Sequence, residues 1–475
     1  MRYRFIKFFL PFLLLAFLLS CSDDEGGMIM DPDPDNNIEK VLPQITIQTQ
    51  GRQIVDEPKV SAVMRVVEDG VETYDGPIGI EFRGSTSQSF PKKSYGLETW
   101  DENGDDVDVP LLGFPEEEDW ILYGAYSDKT LIRNVFVYRL ALEMGHYASR
   151  TKFIELFLDG DYRGIYVFME QIKRDDVRLD LSDLDPDEND PESITGGYIL
   201  KIDKTAGEEG GDASYTEELG FRSNYSVYGD ELTYPPYGPK QGEETYFLYD
   251  DPDPEDISDE QKTYIQSYMK EFEDALVNDL TSDGNHRPDT LYSFEEYINL
   301  ESFVDFFLLN ELAHNADAYR ISTFMYKDRG EKLNMGPVWD FNLSLGNDGN
   351  EFRRSPETWI FEYNQNLPND LWLVPFWWTE LAENPKFRSL VKQRWNELRA
   401  GDWSNDSLLG LIDELTAVLN EDGAVDRNFQ KWQGLLDQIV FGNAFVFGSH
   451  EGEVEYMRDW LTDRLNWMDQ QIGGW

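Results

Sequence analysis

The alternation of hydrophobic and polar residues in the first half of the chain predicts β-strands. A period of two is typical of strands that bury one face, and it is present in ITIQT, VSAVMRVV, IGIEFRG and KSYGLET from Ile45 onward. Two apolar runs around the sequence DGD at 159–161 have the pattern of a β-hairpin. GGYILKID, at 196–203, predicts a further strand. One helix, predicted with Ser127 or Asp128 as its N-cap and with its end at Gly145, interrupts this series.

The second half of the chain has mainly helical periodicity. Two short strands are predicted at 321–328 and 332–339, whereas residues 204–257 lack a clear period and are predicted to be an insertion or a mobile lid. The order of elements predicts an α+β fold that is rich in strands first and in helices later. The segments with helical spacing are 258–277, 295–313 and the tryptophan-rich 370–475.

The strongly negative net charge of the chain excludes some classes of binding partner. It has 41 Lys and Arg against 93 Asp and Glu, which gives a formal net charge of −52 at pH 7. Such a surface repels the phosphates of nucleic acids and anionic lipid headgroups, so we expect no nucleic acid as a partner and favour cations as small partners. The single cysteine, Cys21, excludes internal disulfides and a cysteine-based metal site.

The N-terminal residues have the pattern of a bacterial lipoprotein signal. A basic start precedes an apolar run at 8–19, and the sequence LLSC, which ends at Cys21, resembles a lipobox. The run is shorter than the roughly 20 residues that cross a bilayer. We therefore predict a signal peptide over 1–21 that ends at a lipidated cysteine, with this lipid as the only membrane attachment. An uncleaved anchor, or an ordinary signal with an incidental cysteine, is the alternative.

The residues after Cys21 predict an acidic linker and indicate where in the cell the protein is located. Residues 22–44 are rich in Asp, Pro, Gly and Asn, which is typical of a solvated acidic linker. Its first letters, SDDE, resemble the acidic tag that directs some lipoproteins of Gram-negative bacteria to the outer cell surface. This resemblance implies a lipid anchor in the bacterial outer membrane at the cell surface, with the periplasmic face as the alternative.

Common catalytic motifs are absent from the sequence, and a phosphate-type loop is the first candidate that remains. GxSxG, HExxH, GxxxxGK[ST] and GxGxxG do not occur, and the four histidines are scattered. RGSTSQS starts at Arg83, and Lys92 and Lys93 follow it. Small residues let backbone amides approach phosphate oxygens, and a lysine supplies the charge that holds them. A polar hairpin with surface lysines is the alternative.

Two aspartates in the second half of the chain point to metal-dependent chemistry. Asp317 follows a predicted helix, and Asp340 follows a predicted two-stranded hairpin 23 positions later (340 minus 317). Two carboxylates at the ends of such elements can lie close together in the fold. One can then accept the proton of an attacking hydroxyl, while the other binds Mg²⁺ at nucleotide phosphates. The letters DFN from Asp340 also echo the DFG of protein kinases.

Five segments of the chain carry a family resemblance. They are RGSTSQSFPKKSYGLE, DKTLIRNVFVYRLALEMG, FIELFLDGDYRGIYVFMEQI, GGYILKID, and NADAYRISTFMYKD with the later GPVWDFNLSLGN. In this order they resemble the CotH spore-coat kinase family, in the version carried by Bacteroidetes lipoproteins, over residues 43–475 apart from the insertion. The resemblance implies an atypical kinase that uses ATP with Mg²⁺ or Mn²⁺ to phosphorylate Ser or Thr hydroxyls of a protein.

The resemblance also implies an atypical protein-kinase-like, two-lobed fold. A β-rich N-lobe is expected over 45–203, and the insertion or lid over 204–257. A mainly helical C-lobe is then expected to hold the catalytic and metal motifs within 258–350. Its helical C-terminal part is expected to continue through 351–475.

Several site residues follow from the resemblance. Asp317 falls on the catalytic aspartate of the family and Asp340 on its metal-binding aspartate. Lys92 or Lys93 falls on the nucleotide-binding lysine, and Lys93 is preferred because it enters a strand. Arg83, at the start of the small-residue loop, is added as a nucleotide-binding residue.

Two departures from the protein-kinase pattern concern supporting residues. Kinases place an Asn metal ligand five positions after the catalytic Asp, where this chain has Ser322. A hydroxyl is a weaker ligand, so Asn342 or Asn347 is the substitute, or the second metal is absent. The usual Lys–Glu pair is not assignable in the helix after Asp128, and Glu170 is the candidate in its place.

The start of the single helix predicted in this part of the chain matches a further family motif. Asp128, Lys129, Arg133 and Asn134 belong to it, which implies a role near the nucleotide. The alternative is that Asp128 caps the helix and Arg133 forms a surface ion pair.

Two other functions remain open on the sequence. The first is a kinase-like surface lipoprotein that is weakly active or inactive and acts as an adhesin, a scaffold or a glycan-binding module. The second is a glycoside hydrolase that uses two of the many carboxylates. The tryptophans of the C-terminal helices stand at helical spacing, which favours core packing over stacking on sugars.

We predict that replacing Cys21 by serine releases the protein from the membrane. Serine cannot carry the thioether-linked lipid, and we expect no other attachment in the mature chain. Fractionation of cells that express the wild type and Cys21→Ser measures the outcome. A variant that stays in the membrane fraction to the same extent as the wild type would contradict the lipoprotein prediction.

Overall fold

The computed structural model describes residues 41–205, 215–232, 243–279 and 293–475. The predicted signal peptide with Cys21 and most of the predicted linker lie outside these residues. Among the helices of the described segments, none is long and apolar enough to cross a membrane.

The N-terminal strands form a closed barrel. In the described part of the chain they are β1 (Gln44–Gln48), β2 (Val60–Glu68), β3 (Val71–Arg83), β4 (Ser94–Thr99), β5 (Val109–Pro110), β6 (Glu116–Glu117), β7 (Asp119–Tyr123), β8 (Thr151–Leu158) and β9 (Asp161–Glu170). The barrel order is β1-β2-β3-β4-β7-β9-β8, while β5 and β6 pair with each other beside it. Neighbouring strands are antiparallel except for β1 and β8, whose parallel pairing closes the barrel.

Inward-facing apolar positions hold the barrel together. Ile45 and Ile47 alternate with polar residues along β1 and are fully buried. Trp120 of β7 stacks on Phe168 of β9 with ring centroids 4.9 Å apart. Burial of such side chains stabilises the fold by roughly 25 cal/mol for each Å² of apolar surface, and closure leaves no exposed strand edge. The barrel thereby fixes the ends of β3 and β9, which deliver residues to the cleft described below.

A second sheet of five antiparallel strands follows the barrel. Its order is β11-β12-β10-β13-β14, from strands β10 (Tyr198–Ile202), β11 (Gly220–Ser226), β12 (Glu244–Asp251), β13 (Thr323–Lys327) and β14 (Asn334–Met335). β10 pairs with β12 and β13 and not with the barrel. The predicted N-lobe over 45–203 is therefore corrected, because its last strand belongs to the second sheet.

The prediction of an insertion or lid over 204–257 is wrong for the described residues of that segment. β11 and β12 lie in it and form part of the second sheet. Phe247 of β12 is fully buried and stacks on Trp377 with centroids 5.5 Å apart. Gly, Pro and Glu residues surround the two strands in the sequence and mask their alternation.

One α-helix of the described segments lies between β7 and β8, and the other α-helices follow β12. The helices are α1 (Arg133–Glu143), α2 (Asp259–Asp279), α3 (Leu300–Ala313), α4 (Glu351–Arg354), α5 (Tyr363–Asn366), α6 (Trp377–Glu383), α7 (Pro385–Arg399), α8 (Asn405–Asn420), α9 (Ala424–Lys431) and α10 (His450–Gly473). The structure confirms a mixed α+β fold with a β-rich N-terminal region and a helical C-terminal region. α1 is the single helix predicted among the strands, and it begins later than the predicted N-cap at Ser127 or Asp128. It packs against α3 and α8.

Tryptophans and α3 form the centre of the helical region. Trp378 stacks on Phe303 and Phe306 of α3, with centroids 5.8 and 5.9 Å apart. Trp377, Trp378 and Trp395 are all buried, which confirms core packing for these side chains. α3 is buried along nearly its whole length, so the turn that follows it starts from a rigid element.

We predict that Phe247→Ala destabilises the protein strongly. Truncation of a buried Phe leaves a cavity and costs about 3–5 kcal/mol of unfolding free energy, and this ring is fully buried. Tyr228→Ala is the control, because Tyr228 is 51% exposed in the same predicted insertion, and we expect it to stay within about 0.5 kcal/mol of the wild type. Urea unfolding curves measure both. Equal midpoints for the two variants would show that β12 does not pack as described.

Candidate active site

A cleft of about 690 Å³ lies where the barrel meets the second sheet. One wall comes from the ends of β3 and β9, another from β10, β12 and β13, and a third from the loop before Asp340. Its main lining residues are Arg83, Gln171, Lys173, Arg174, Ile199, Lys201, Asp250, Phe324 and Trp339. The cleft thus combines apolar side chains with positive and negative ones.

Two cations point into this cleft. Arg83 Nη1 donates to Gln171 Oε1 at 2.9 Å, and its guanidinium lies 5.9 Å from the ring centroid of Trp339. Lys201 Nζ lies 2.6 Å from Asp250 Oδ1. Burial alone would lower the pKa of Lys201, but the Asp250 carboxylate more than offsets this and raises it. The structure therefore places Arg83 in the cleft, together with a lysine that the sequence analysis did not select.

Asp203 extends the cleft-facing side of β10 toward the predicted aspartates. Alternate residues of an extended segment lie on the same face of it. This places Asp203, directly after β10, on the same face as Ile199 and Lys201. Asp203 Oδ1 accepts a hydrogen bond from the Lys204 N–H at 2.8 Å, and the backbone N–H of Ser322 also donates to its carboxylate. Burial raises the pKa of Asp203 despite these bonds.

Asp317 lies in the turn after α3. Its N–H donates to Asn315 Oδ1 at 3.3 Å, and Asn315 Nδ2 donates to the carbonyl of Asp340 at 3.3 Å. Asn315 therefore ties the turn of Asp317 to that of Asp340. Arg320 Nη2 lies 3.0 Å from Asp317 Oδ1 and orients the carboxylate, whose side chain is 15% exposed.

Asp340 adopts a left-handed backbone conformation, with φ of 56°. Such a φ is costly for a residue other than Gly, and two hydrogen bonds hold it: the Asp340 N–H donates to Tyr138 Oη at 3.1 Å, and the next N–H donates to Asn134 Oδ1 at 2.8 Å. Burial, with repulsion from Asp317 and Asp203, raises the pKa of Asp340 to about 7, and Lys204 opposes this effect. The structure thus brings together the two predicted aspartates and adds Asp203.

Asn342, two positions after Asp340, is a candidate metal ligand. Asn342 Oδ1 is buried and has no hydrogen-bond partner in the described part of the chain. Asn347 is already engaged, because its Nδ2 donates to Ser127 O at 3.2 Å and its Oδ1 accepts from Asn443 at 2.7 Å. Hard cations such as Mg²⁺ prefer carboxylate and amide oxygens. Asn342 is therefore the better of the two predicted substitutes, and Asn347 is a structural residue.

Ser322 adjoins the cluster through its backbone. Its φ is 49°, and its N–H donates to the Asp203 carboxylate. A metal-ligand role for its hydroxyl stays a prediction.

The motif at the start of α1 supports the loop of Asp340. Arg133 Nη1 lies 2.5 Å from Asp128 Oδ1, and Arg133 Nε donates to Ser344 O at 3.0 Å. Both charged side chains are 1% exposed, so the surface ion pair considered above is wrong. This buried pair holds the loop after Asp340 and is costly to break, because either partner alone would be an unpaired buried charge.

Lys92 is corrected from a nucleotide lysine to a structural one. Its Nζ donates to Ile165 O at 2.5 Å and to Asn428 Oδ1 at 3.2 Å, and it lies 4.9 Å from the ring centroid of Tyr166. The side chain is buried where α9 packs on β9. Burial lowers the pKa of Lys92 to about 7.

Lys93 and Glu170 do not form the predicted pair. Lys93 Nζ donates to the carbonyl of Gln88. Glu170 is fully buried, accepts the N–H of Arg150 at 2.9 Å, and forms ion pairs with the guanidinium groups of Arg150 and Arg178. Neither residue lines the cleft, and Lys201 with Asp250 is the lysine–carboxylate pair that does.

Residues 80–468 match the model of one protein family, described as CotH kinase protein. The chain belongs to the CotH kinase family. The match includes the cleft, the three aspartates and all elements from the end of β3 to α10. No curated protein matches the chain. The sequence analysis missed Asp203 and Lys201, although the period of two in GGYILKID places both on one strand face.

We predict that Lys92→Met in this CotH-family chain changes the pH dependence of stability. Because the pKa of Lys92 is lowered to about 7, the unfolded chain binds more protons than the folded protein between about pH 7 and pH 10.4. Wild-type stability therefore falls as the pH is lowered through this window. Methionine carries no proton, so we expect the variant to gain stability relative to the wild type over the same change.

Urea unfolding at about pH 10 and about pH 7.5 measures this difference. Binding of ATP is the second readout, and we expect it to be unchanged because Lys92 does not line the cleft. A pH-independent difference, or a loss of ATP affinity, would contradict the structural role.

Proposed function

We propose that this CotH-family protein transfers the γ-phosphate of ATP to Ser or Thr hydroxyls of a protein, with Mg²⁺ or Mn²⁺. The observation that carries the proposal is the cluster of Asp203, Asp317 and Asp340 beside a cleft that holds Arg83 and Lys201. The family match supports a kinase-type activity. A cleft between the barrel and the second sheet also supports the two-lobed, kinase-like arrangement.

The cleft suits a nucleotide in size and chemistry. Its volume of about 690 Å³ falls in the roughly 300–1,000 Å³ range of small-molecule sites. Trp339, Phe324 and Ile199 offer a surface for a base, because aromatic faces stack on aromatic rings. Arg83 and Lys201 supply positive charge for phosphates between the base and the aspartates.

Asp340, Asp203 and Asn342 would hold the metal ion. When bound, a divalent cation there would neutralise phosphate charge. These residues fit this role because Asn342 Oδ1 is a buried acceptor without a hydrogen-bond partner in the described segments and because the carboxylates repel each other without a cation.

Asp317 would act on the acceptor hydroxyl. The hydroxyl oxygen forms a bond to the γ-phosphorus, the bond from that phosphorus to the bridging oxygen of ADP breaks, and the electron pair of this bond leaves with ADP. Asp317 accepts the hydroxyl proton. Its exposure of 15% lets an acceptor reach it, and Arg320 keeps its carboxylate in place.

An inactive kinase-like protein is the second candidate. Ser322 at the position of the kinase Asn ligand favours it, because a hydroxyl binds Mg²⁺ more weakly than a carboxylate or amide oxygen. In that case the fold would serve as an adhesin, a scaffold or a glycan-binding module.

Location and partners belong to the same proposal. The lipobox at Cys21 and the acidic residues after it support a lipid-anchored protein of the bacterial outer membrane, at the cell surface or on its periplasmic face. The net charge of −52 argues against nucleic acid as a partner. The partners proposed are a nucleotide and an acceptor protein.

We predict separable effects for the two aspartates. Asp340→Asn removes a metal ligand, so we expect metal-dependent ATP affinity to fall by about tenfold or more. Asp317→Asn removes the proton acceptor, so we expect affinity to be retained and transfer to slow by about 100-fold or more. Calorimetric titration with ATP and Mn²⁺, and transfer of labelled phosphate, measure the two effects.

Asp402→Asn, on the exposed surface before α8, is the matched control, and melting curves show that each variant folds. Chelation of the metal should abolish ATP binding by the wild type. Unchanged transfer in both site variants would refute the kinase proposal, and a wild type that binds ATP without transfer would favour the inactive alternative.

A further inference from the structure

Lys204 is a cation at the aspartate cluster that makes no ion pair with the described residues. Its charge acts on both Asp340 and Asp203. The neighbouring cation, Arg320, is already committed, because it contacts Asp317 at 3.0 Å and Asp370 at 3.6 Å. Lys204 therefore has an ammonium group available next to the proposed metal site.

The ammonium group of Lys204 packs on the aromatic ring of Trp372. Lys204 Nζ lies 5.2 Å from the ring centroid of Trp372. A contact with a ring face holds the cation without using its three N–H donors in hydrogen bonds. Lys204 is thus positioned at the site, while its donors stay available for an anionic ligand.

Hydrogen bonds connect Trp372 to the residues of the site. Trp372 Nε1 donates to Tyr215 Oη at 3.2 Å, and Tyr215 Oη donates to the carbonyl of Asp203 at 3.0 Å. On its other side, the carbonyl of Trp372 accepts from Arg320 Nη1 at 3.2 Å. Because Arg320 also holds Asp317, the ring under Lys204 is connected both to the proposed metal ligand and to the proposed proton acceptor.

We propose that Lys204 is a catalytic residue that binds the γ-phosphoryl group during transfer. This inference rests on the proposed function. A γ-phosphate bound at Asp340 and Asp203 would lie beside Lys204, whereas Arg83 and Lys201 line the cleft and would meet the α- and β-phosphates. As the acceptor oxygen bonds to the γ-phosphorus and the bond to ADP breaks, the ammonium group stabilises the negative charge on the phosphoryl oxygens.

A purely structural role makes a different prediction. If Lys204 served only to reduce repulsion among the carboxylates, its loss would change the affinity for every metal-bound nucleotide alike. If it contacts the γ-phosphate, its loss weakens only ligands that have one. The comparison of ADP with a non-hydrolysable ATP analogue therefore separates the two roles, and it does not depend on turnover.

The test uses the full chain with Mn²⁺ and measures the affinities for ADP and for the β,γ-imido analogue of ATP. We expect Lys204→Met to weaken the analogue by about tenfold or more, to leave ADP within about twofold, and to slow transfer by about 100-fold or more. Lys204→Arg should keep most of the analogue affinity, because it keeps the charge. Lys270→Met, on the exposed side of α2, should behave as the wild type, and melting curves report folding.

Three results would overturn the proposal. An equal change in the affinity for both nucleotides in Lys204→Met would show a structural role, and unchanged affinity and transfer would show no role. Failure of the proposed function is distinguishable, because then the wild type itself binds neither nucleotide, and the assignment of Lys204 falls with it.

Discussion

Mutual repulsion among Asp203, Asp317 and Asp340 is the constraint on which the rest of the site depends. Charges in a partly buried site are poorly screened by water, and the raised pKa of Asp340 reflects this. The cluster persists because its backbone is held from outside, by Asn315 between two of the turns and by Asn134 at the start of α1. The fold thus maintains an arrangement that a bound cation would relieve, which is typical of a functional site.

Two separate scaffolds supply the two halves of this arrangement. The closed barrel holds Arg83 against Gln171, whereas the second sheet carries Lys201 on β10 and Asp203 directly after that strand. Because the chain has a net charge of −52, an anionic nucleotide is repelled by most of its surface. Under the proposed function, local cations at the cleft and a metal at the aspartates would attract the phosphates.

Buried ion pairs and a buried lysine replace the contacts expected from protein kinases. Glu170 is fully buried between arginines, and Lys92 lies inside the junction of β9 and α9. Neither can reach a ligand without breaking contacts that would leave an uncompensated buried charge or polar group. A motif that resembles a nucleotide site in the sequence here serves the packing of the barrel against the helices.

The sequence by itself determined the strands of the barrel except β7, helix α1, the helical C-terminal region and the choice of Asp317 and Asp340 as candidates, since periodicity and motif order are local properties. It did not reveal that β11 and β12 complete a sheet, because strand pairing depends on partners distant in the chain. Only the tertiary structure decided which cations face the aspartates. Lys92 and Lys201 are alike in sequence terms, and burial, which is set by neighbouring elements, makes one a structural residue and the other part of the cleft.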